Sequence, residues 1–139
     1  MTVAMDNMRR AFRTAGEVRP EVGGFPYLAE TLRRAGVHRN EWLLPSLQRI
    51  YLTDVGSVVE QGVPLLNGLA EIPAFDAGAL LRALRADQEG RAPFEQFIRS
   101  AWEAGVVRWV VELDARTCTY YGSSGETYEE TYPAVSIEV

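Results

Sequence analysis

Lysine is absent from this sequence, and cysteine and histidine each occur once, as Cys118 and His38. A single cysteine excludes an intramolecular disulfide and a metal site built from several thiolates. No apolar run approaches the roughly 20 residues that span a bilayer, and residues 1–15 lack the apolar core of a signal peptide. We therefore expect a cytoplasmic protein held together by packing, with no metal site, no cofactor and no membrane contact.

The sequence contains more acidic than basic residues and so has a net negative charge. Because lysine is missing, all 14 basic residues are arginine, which we attribute to mutational bias in a GC-rich genome. The net charge of -5 argues against a dedicated nucleic-acid-binding protein. Hydrophobic residues make up 47% and charged residues 24%, as in an ordinary globular protein, and 139 residues suit one domain.

The segment from Gly105 to Tyr132 has the clearest structural pattern. β-Branched and aromatic residues fill three runs, separated by turn signals at Ala115-Arg116 and at residues 122–125. Such runs are typical of strands, and the short turns between them favour an antiparallel meander. A similar but weaker set of three runs lies between residues 37 and 63.

A shift of 69 positions places the first half of the sequence on the second. It aligns Phe25 with Phe94, Ala35-Gly36-Val37 with Ala104-Gly105-Val106, Arg39 with Arg108, Tyr51 with Tyr120, and Gly56 with Gly125. The matches fall on an apolar helix residue, a glycine stop, the start of a strand and a turn. We therefore predict one domain, residues 1–139, with an internal repeat of about 6–63 and 75–132 joined by an apolar connection, 64–74.

Each repeat is predicted to begin with two helices. Apolar residues recur at helical spacing in four runs, which begin near an aspartate cap or a proline and end at a glycine. The caps are Asp6 and Asp76, and the glycine stops are Gly16, Gly36, Gly90 and Gly105. The fold class we predict is α+β, with duplicated helix-helix-meander units that form an antiparallel sheet covered by helices on one face.

Strand alternation assigns the side chains after Gly105 to two faces. The predicted core face carries Val107, Trp109, Val111 and Leu113, and the other face carries Arg108, Val110, Glu112 and Asp114. A two-residue turn at Ala115-Arg116 would put Cys118 and Tyr120 on the core face, with Tyr121 on the other, whereas a three-residue turn would reverse this. The sequence leaves open both this register and whether the second face is plain solvated sheet or a binding surface.

Few residues suggest catalysis. Cys118 and His38 would suit a nucleophile and its base, but a mid-strand cysteine is more often a small core residue. Glu112 and Asp114 share a face, as a general acid/base pair requires, yet carboxylates at this spacing are ordinary on the outer face of a sheet. We therefore assign no catalytic residue and favour a protein that is not an enzyme.

One resemblance rests on residues 105–113, on Thr117-Cys118-Thr119-Tyr120-Tyr121 and on the Gly125 turn. Through these residues the sequence resembles the YbcV-like family of uncharacterised bacterial proteins, whose members are often labelled phage envelope protein. The resemblance runs from about Phe25 to Pro133, including the helix that ends near Gln88. It implies a small soluble domain of unknown function and brings no established activity, cofactor or catalytic residue.

Three functional hypotheses follow from this reading. The first is a non-enzymatic module that binds a small molecule or a peptide where the repeats meet. Its candidate ligand-binding residues are Trp42, Tyr51, Tyr120, Tyr121, Glu112 and Asp114. The second is a self-associating protein that forms a homodimer through an outer strand such as Glu126 to Tyr132. The third is an enzyme that uses Glu112 and Asp114, or Cys118.

Overall fold

The computed structural model describes residues 2–138, which form four helices and six strands. The helices are α1 (Val3–Val18), α2 (Phe25–Arg34), α3 (Ala77–Gln88) and α4 (Phe94–Glu103). The strands are β1 (Val37–Leu43), β2 (Gln48–Thr53), β3 (Val58–Gln61), β4 (Val106–Glu112), β5 (Thr117–Gly122) and β6 (Thr127–Thr131). Within residues 2–138, no helix is both long enough and apolar enough to cross a bilayer.

The six strands form one antiparallel sheet in the order β3-β2-β1-β4-β5-β6. Each meander therefore contributes three neighbouring strands, and the two first strands, β1 and β4, meet in the centre. Helix α1 packs on α2, and α3 packs on α4. Both pairs cover the same face of the sheet, so the predicted α+β class is confirmed.

The helix starts agree with the sequence in one repeat and differ in the other. Asp76 caps α3, because its side chain accepts a hydrogen bond from the backbone N–H of Ala79 at 3.0 Å. The cap of α1 is Thr2, which accepts from the N–H of Met5 at 3.2 Å, so the prediction of Asp6 as a cap was wrong. Asp6 lies in the first turn, where a carboxylate also suits the helix dipole.

Backbone geometry recurs at the spacing of 69 residues. Gly36 and Gly105 follow α2 and α4 with φ of 89° and 87°, a left-handed conformation that ends each helix. The β1 and β4 strands each carry a bulge at the same place, next to Val37 and Val106. These coincidences support the predicted duplication, which stays a prediction.

The apolar connection between the halves has no helix or strand. Leu65 packs partly against the core, whereas the Leu69 side chain is completely exposed. Near its end, the backbone of Ala74 lies so close to Gly105 that a Cβ there would approach it to 2.6 Å. The connection therefore packs at its ends and is exposed in the middle.

The turn between β4 and β5 settles the open register. Val111 pairs with Cys118 and Trp109 pairs with Tyr120, so Cys118 and Tyr120 face the helices. Glu112 pairs with Thr117, which leaves a loop of residues 113–116 in place of a two-residue turn. The observed four-residue loop and the predicted two-residue turn both contain an even number of residues. Both therefore place Cys118 and Tyr120 on the core face.

One residue of β4 departs from the predicted alternation. The bulge places Val106 completely in the core and leaves Val107 only half-buried. Beyond the bulge, Trp109, Val111 and Leu113 are buried against the helices as predicted. A bulge inserts one unpaired residue, so it shifts the alternation by one position.

Candidate functional site: an aromatic cleft over the sheet

A cleft of about 1370 Å³ lies over the helix-covered face of the sheet. Its walls come from all four helices and its floor from strands of both halves. The central strands β1 and β4 pass beneath it, so the cleft lies where the two predicted repeats meet. A second depression, beside Tyr132, has no room for a water-sized group.

Two stacked indoles form the centre of the cleft floor. Trp42 and Trp109 are opposite each other in the β1–β4 pairing, and their ring centroids are 5.0 Å apart with planes 18° from parallel. Phe94 meets the Trp42 ring edge-on at 5.4 Å, while Phe97 and Tyr120 lie 5.6 and 5.8 Å from Trp109. Such clusters bury large apolar areas and favour flat, apolar ligands.

The polar groups of the first half surround Trp42. The Arg49 guanidinium lies over its ring at 4.6 Å, and Nη1 of Arg49 is 3.2 Å from the Glu60 carboxylate. Trp42 Nε1 donates to the side-chain oxygen of Asn40 at 3.1 Å. Burial raises the pKa of Tyr51, whose phenol therefore stays protonated at neutral pH.

The polar groups of the second half include a protonated thiol and phenol. Burial raises the pKa of Cys118 to about 12. Burial also raises the pKa of Tyr120 well above its usual value, and the nearby Cys118, Glu130 and Asp87 add to this effect. Glu130 accepts a hydrogen bond from Arg85 at 2.7 Å. Asp87 lies half-buried on the cleft wall.

Two loops that line the cleft are in contact with each other. Residues 19–24 join α1 to α2, and residues 89–93 join α3 to α4. A Cβ built on Gly90 would lie 2.7 Å from a methyl group of Val22, so the two loops are in close contact. Gly90 also has a φ of 70°, which side chains rarely adopt.

The structure divides the six predicted ligand-binding residues between the two faces of the sheet. Trp42, Tyr51 and Tyr120 line the cleft. The others are on the outer face, where Glu112 pairs with Arg39 at 2.6 Å, Asp114 with His38, and Tyr121 with Arg108. Tyr120 and Tyr121 are neighbours in sequence, and strand alternation separates them.

The outer face carries a second cluster of titratable groups. His38 is held by two aspartates, with Nε2 2.6 Å from Asp54 and Nδ1 2.8 Å from Asp114. These hydrogen bonds, led by that to Asp114, raise the pKa of His38. His38 is therefore engaged with carboxylates on the exposed surface, while Cys118 faces the cleft. Within residues 2–138, no group of three or more histidine, cysteine or acidic side chains is arranged to hold a metal ion.

Sequence reasoning missed several residues of the cleft. Arg49 and Asn40 share the inward face with Tyr51 and Trp42, so strand alternation was sufficient to find them. Asp87 gives no such signal, because only the packing of α3 on the sheet brings it to the cleft wall.

Comparison with known proteins places the chain among uncharacterised relatives. A family described as "Protein of unknown function (DUF1398)" matches residues 14–130. Uncharacterized protein Mb2035 of Mycobacterium bovis and uncharacterized protein Rv2012 of Mycobacterium tuberculosis are similar to this chain. Each is 56% identical to it over 135 residues, which cover 97% of this chain and 82% of the relative.

Proposed function

This chain belongs to the DUF1398 family of proteins of unknown function, and we propose that it is a non-enzymatic module that binds a small organic molecule in its cleft. The observation that carries the proposal is the stacked pair of Trp42 and Trp109 on the floor of a cleft of about 1370 Å³. Sites for small molecules are concave, mostly apolar, and carry a few polar groups that fix orientation. The cleft has each of these features.

The contact between the two loops of the cleft wall favours a small molecule over a peptide. Val22 and Gly90 both line the cleft and are in contact, so the two loops form one continuous part of its wall. A peptide bound in a groove needs open ends through which its chain continues, whereas a small molecule is enclosed. We therefore propose a small molecule as the ligand, with a peptide as the alternative.

The candidate catalytic residues have environments that weigh against an enzyme. A thiol reacts as its thiolate, and burial keeps the Cys118 thiol protonated at neutral pH. Glu112 is paired with Arg39, and Asp114 with His38, on the face opposite the cleft. None of these three groups therefore combines a free reactive form with a place in the cleft.

Native mass spectrometry with stepped collisional activation tests this proposal. We expect the full chain, purified from its own host, to retain a small molecule at gentle desolvation and to lose it on activation. Trp42→Phe should retain less of it, because a smaller ring covers less of the floor. Trp102→Phe is the matched control, since Trp102 is half-buried outside the cleft. A ligand-free monomer, or equal losses in both variants, would contradict the proposal.

Self-association through β6 is the second candidate. This strand is at one edge of the sheet and presents backbone groups that a second copy could pair with. Its side chains include Glu129 and Glu130, and antiparallel pairing of two such edges would bring like charges together. A ligand-free dimer in the same mass spectra would favour this candidate over the cleft.

Two narrower predictions belong to the proposal. We infer that the family relationship includes the YbcV-like proteins, on the residues between 105 and 125 that carry the resemblance. We also propose a cytoplasmic location, in which the single thiol of Cys118 would stay reduced. Fractionation of the host tests the location, and recovery of the protein from a membrane or particle fraction would contradict it.

A further inference from the structure

In the first half of the cleft, an arginine side chain provides a positive charge. Arg49 of β2 lies opposite Glu60 of β3 in the sheet, and their side chains form an ion pair. The same guanidinium covers the ring of Trp42 at 4.6 Å. A cation on an aromatic face beside a carboxylate is a favourable arrangement when water is excluded.

The corresponding strand position in the second half has no cation. Glu130 lies opposite Cys118 in the sheet, as Glu60 lies opposite Arg49. Cys118 is also 69 positions beyond Arg49, the spacing of the predicted repeat. Its buried thiol is neutral, so the arginine of β2 has no charged counterpart in β5. Glu130 obtains its partner from α3 instead, where Nη2 of Arg85 is 2.7 Å away.

Asp87 adds a further carboxylate to this half. It lies in the last turn of α3 on the cleft wall, and within residues 2–138 its side chain makes no ion pair and no hydrogen bond. Burial raises the pKa of Asp87, although the positive charge of Arg19 opposes this effect. A half-buried carboxylate without a partner is costly, and a bound cation would reduce that cost.

Aromatic rings line the same half of the cleft, and Asp87 is close enough to Tyr120 to raise the pKa of its phenol. Trp109 and Tyr120 pair across β4 and β5, and Phe97 packs over both. Glu60 pairs with Arg49, and Glu130 pairs with Arg85. Arg19 and Arg91 also line the cleft, so its charged side chains balance overall, and Asp87 is the carboxylate of the second half that forms no ion pair within residues 2–138. Ring faces with an adjacent negative charge recognise ammonium groups.

We infer that the ligand of the cleft is a small organic cation, an amine attached to an apolar or aromatic group. Its ammonium lies in the second half, beside Asp87 and the rings of Trp109 and Tyr120. There it takes the role that the Arg49 guanidinium has in the first half. This inference rests on the proposed function, because it names the class of molecule that the same cleft binds.

Isothermal titration calorimetry of the full chain with three probes of similar shape tests the charge of the ligand. The probes are 2-phenylethylamine, 2-phenylethanol and phenylacetate, at pH 7. We expect the amine to bind about tenfold more tightly than the alcohol, and phenylacetate to bind most weakly. Asp87→Asn should reduce the affinity for the amine to that for the alcohol. Asp54→Asn, on the opposite face of the sheet, is the matched control and should keep the preference.

The outcomes separate this inference from the proposed function. Equal or tighter binding of the alcohol or phenylacetate would overturn the inference and leave a small-molecule cleft. A preference for the amine that persists in Asp87→Asn would overturn the role of Asp87. If none of the probes binds, the charge of the molecule retained in native mass spectra tests the inference instead. A neutral or anionic molecule would overturn it. No binding and no retained molecule would overturn both.

Discussion

Leu47 and Arg116, 69 residues apart, share the same left-handed backbone conformation, with φ of 58° and 56°. Each residue ends the turn between the first and second strand of its half, before β2 or β5. They are the two non-glycine residues with positive φ in the part of the chain that the structure describes. Left-handed backbone costs an ordinary residue about 1–2 kcal/mol, so each turn stores strain.

Arg116→Gly should therefore stabilise the protein. Glycine adopts this conformation without the steric cost, although it loses more entropy on folding, and the net gain should be about 0.5–1 kcal/mol in the free energy of unfolding. Urea unfolding measures it. Arg116→Ala is the control, because alanine keeps the strain and should give no comparable gain. A loss of stability in Arg116→Gly would contradict this account of the turn.

Gly90→Ala should destabilise the protein by more than backbone strain alone. Its φ is 70°, and the new methyl group would meet Val22 at 2.7 Å. Gly68→Ala is the matched control, since Gly68 has a φ of 86° and open space around it. We expect about 1 kcal/mol for the control and up to about 1 kcal/mol more for Gly90→Ala, because the exposed Val22 side chain must move away from the new methyl group.

A change at Val22 tests whether this difference comes from the contact between the two loops. Adding Val22→Ala to Gly90→Ala should recover part of the lost stability, because the methyl group then has room. Equal losses for the glycine variants at positions 90 and 68 would contradict the predicted cost of this contact.

His38 should titrate above the ordinary range of histidine. Its pKa is raised by hydrogen bonds to Asp114 and Asp54, so the folded state binds the proton more tightly than the unfolded state does. The stabilising effect is fully present below the unfolded pKa, about 6.5, and is lost as the pH rises through the folded pKa. Because His38 is the single histidine, one NMR imidazole signal reports the titration.

Variants of the two aspartates provide the comparison. Asp114→Asn should lower the pKa of His38, and Asp54→Asn should do the same, since each removes a negative hydrogen-bond acceptor. Asp76→Asn, at the cap of α3, is the control and should leave the titration unchanged. A His38 pKa at or below 6.5 in the unmodified protein would be incompatible with this pair of hydrogen bonds.

Cys118 should be unreactive in the native protein. Burial raises the pKa of its thiol to about 12, so almost no thiolate is present at pH 8. We expect a disulfide reagent such as 5,5′-dithiobis(2-nitrobenzoate) to react only as the protein unfolds, with a rate that urea increases. Rapid reaction under native conditions would place the thiol at an accessible surface and reopen its role as a nucleophile.

The sequence was most informative where structure is local. Gly36 and Gly105 predicted the ends of two helices, because a left-handed stop needs only the neighbouring turn. The prediction of Asp6 as a helix cap was wrong, because Thr2 lies four residues earlier and caps the helix instead. The register after β4 stayed open because it depends on the length of one loop, residues 113–116, whose composition fits more than one turn.

The cleft itself could be predicted only in part. The sequence predicted Trp42, Tyr51 and Tyr120 as ligand-binding residues where the repeats meet, but it assigned strand faces only after Gly105, with the register of Tyr120 open. Once the register was known, strand alternation placed Tyr121 on the face opposite Tyr120. The cleft volume and the position of Asp87 depend on how two helix pairs rest on the sheet. That arrangement arises from contacts between distant residues, for which a single sequence has no local signal.

The fluorescence of Trp42 and Trp109 tests the central claim most directly. Trp102→Phe leaves only these two indoles, both on the floor of the cleft. The account predicts that small molecules extracted from the purified protein, added back to this variant, change its emission until one molecule is bound per chain. Emission that stays unchanged while the same molecule still binds would place the ligand elsewhere and contradict a binding cleft over the stacked indoles.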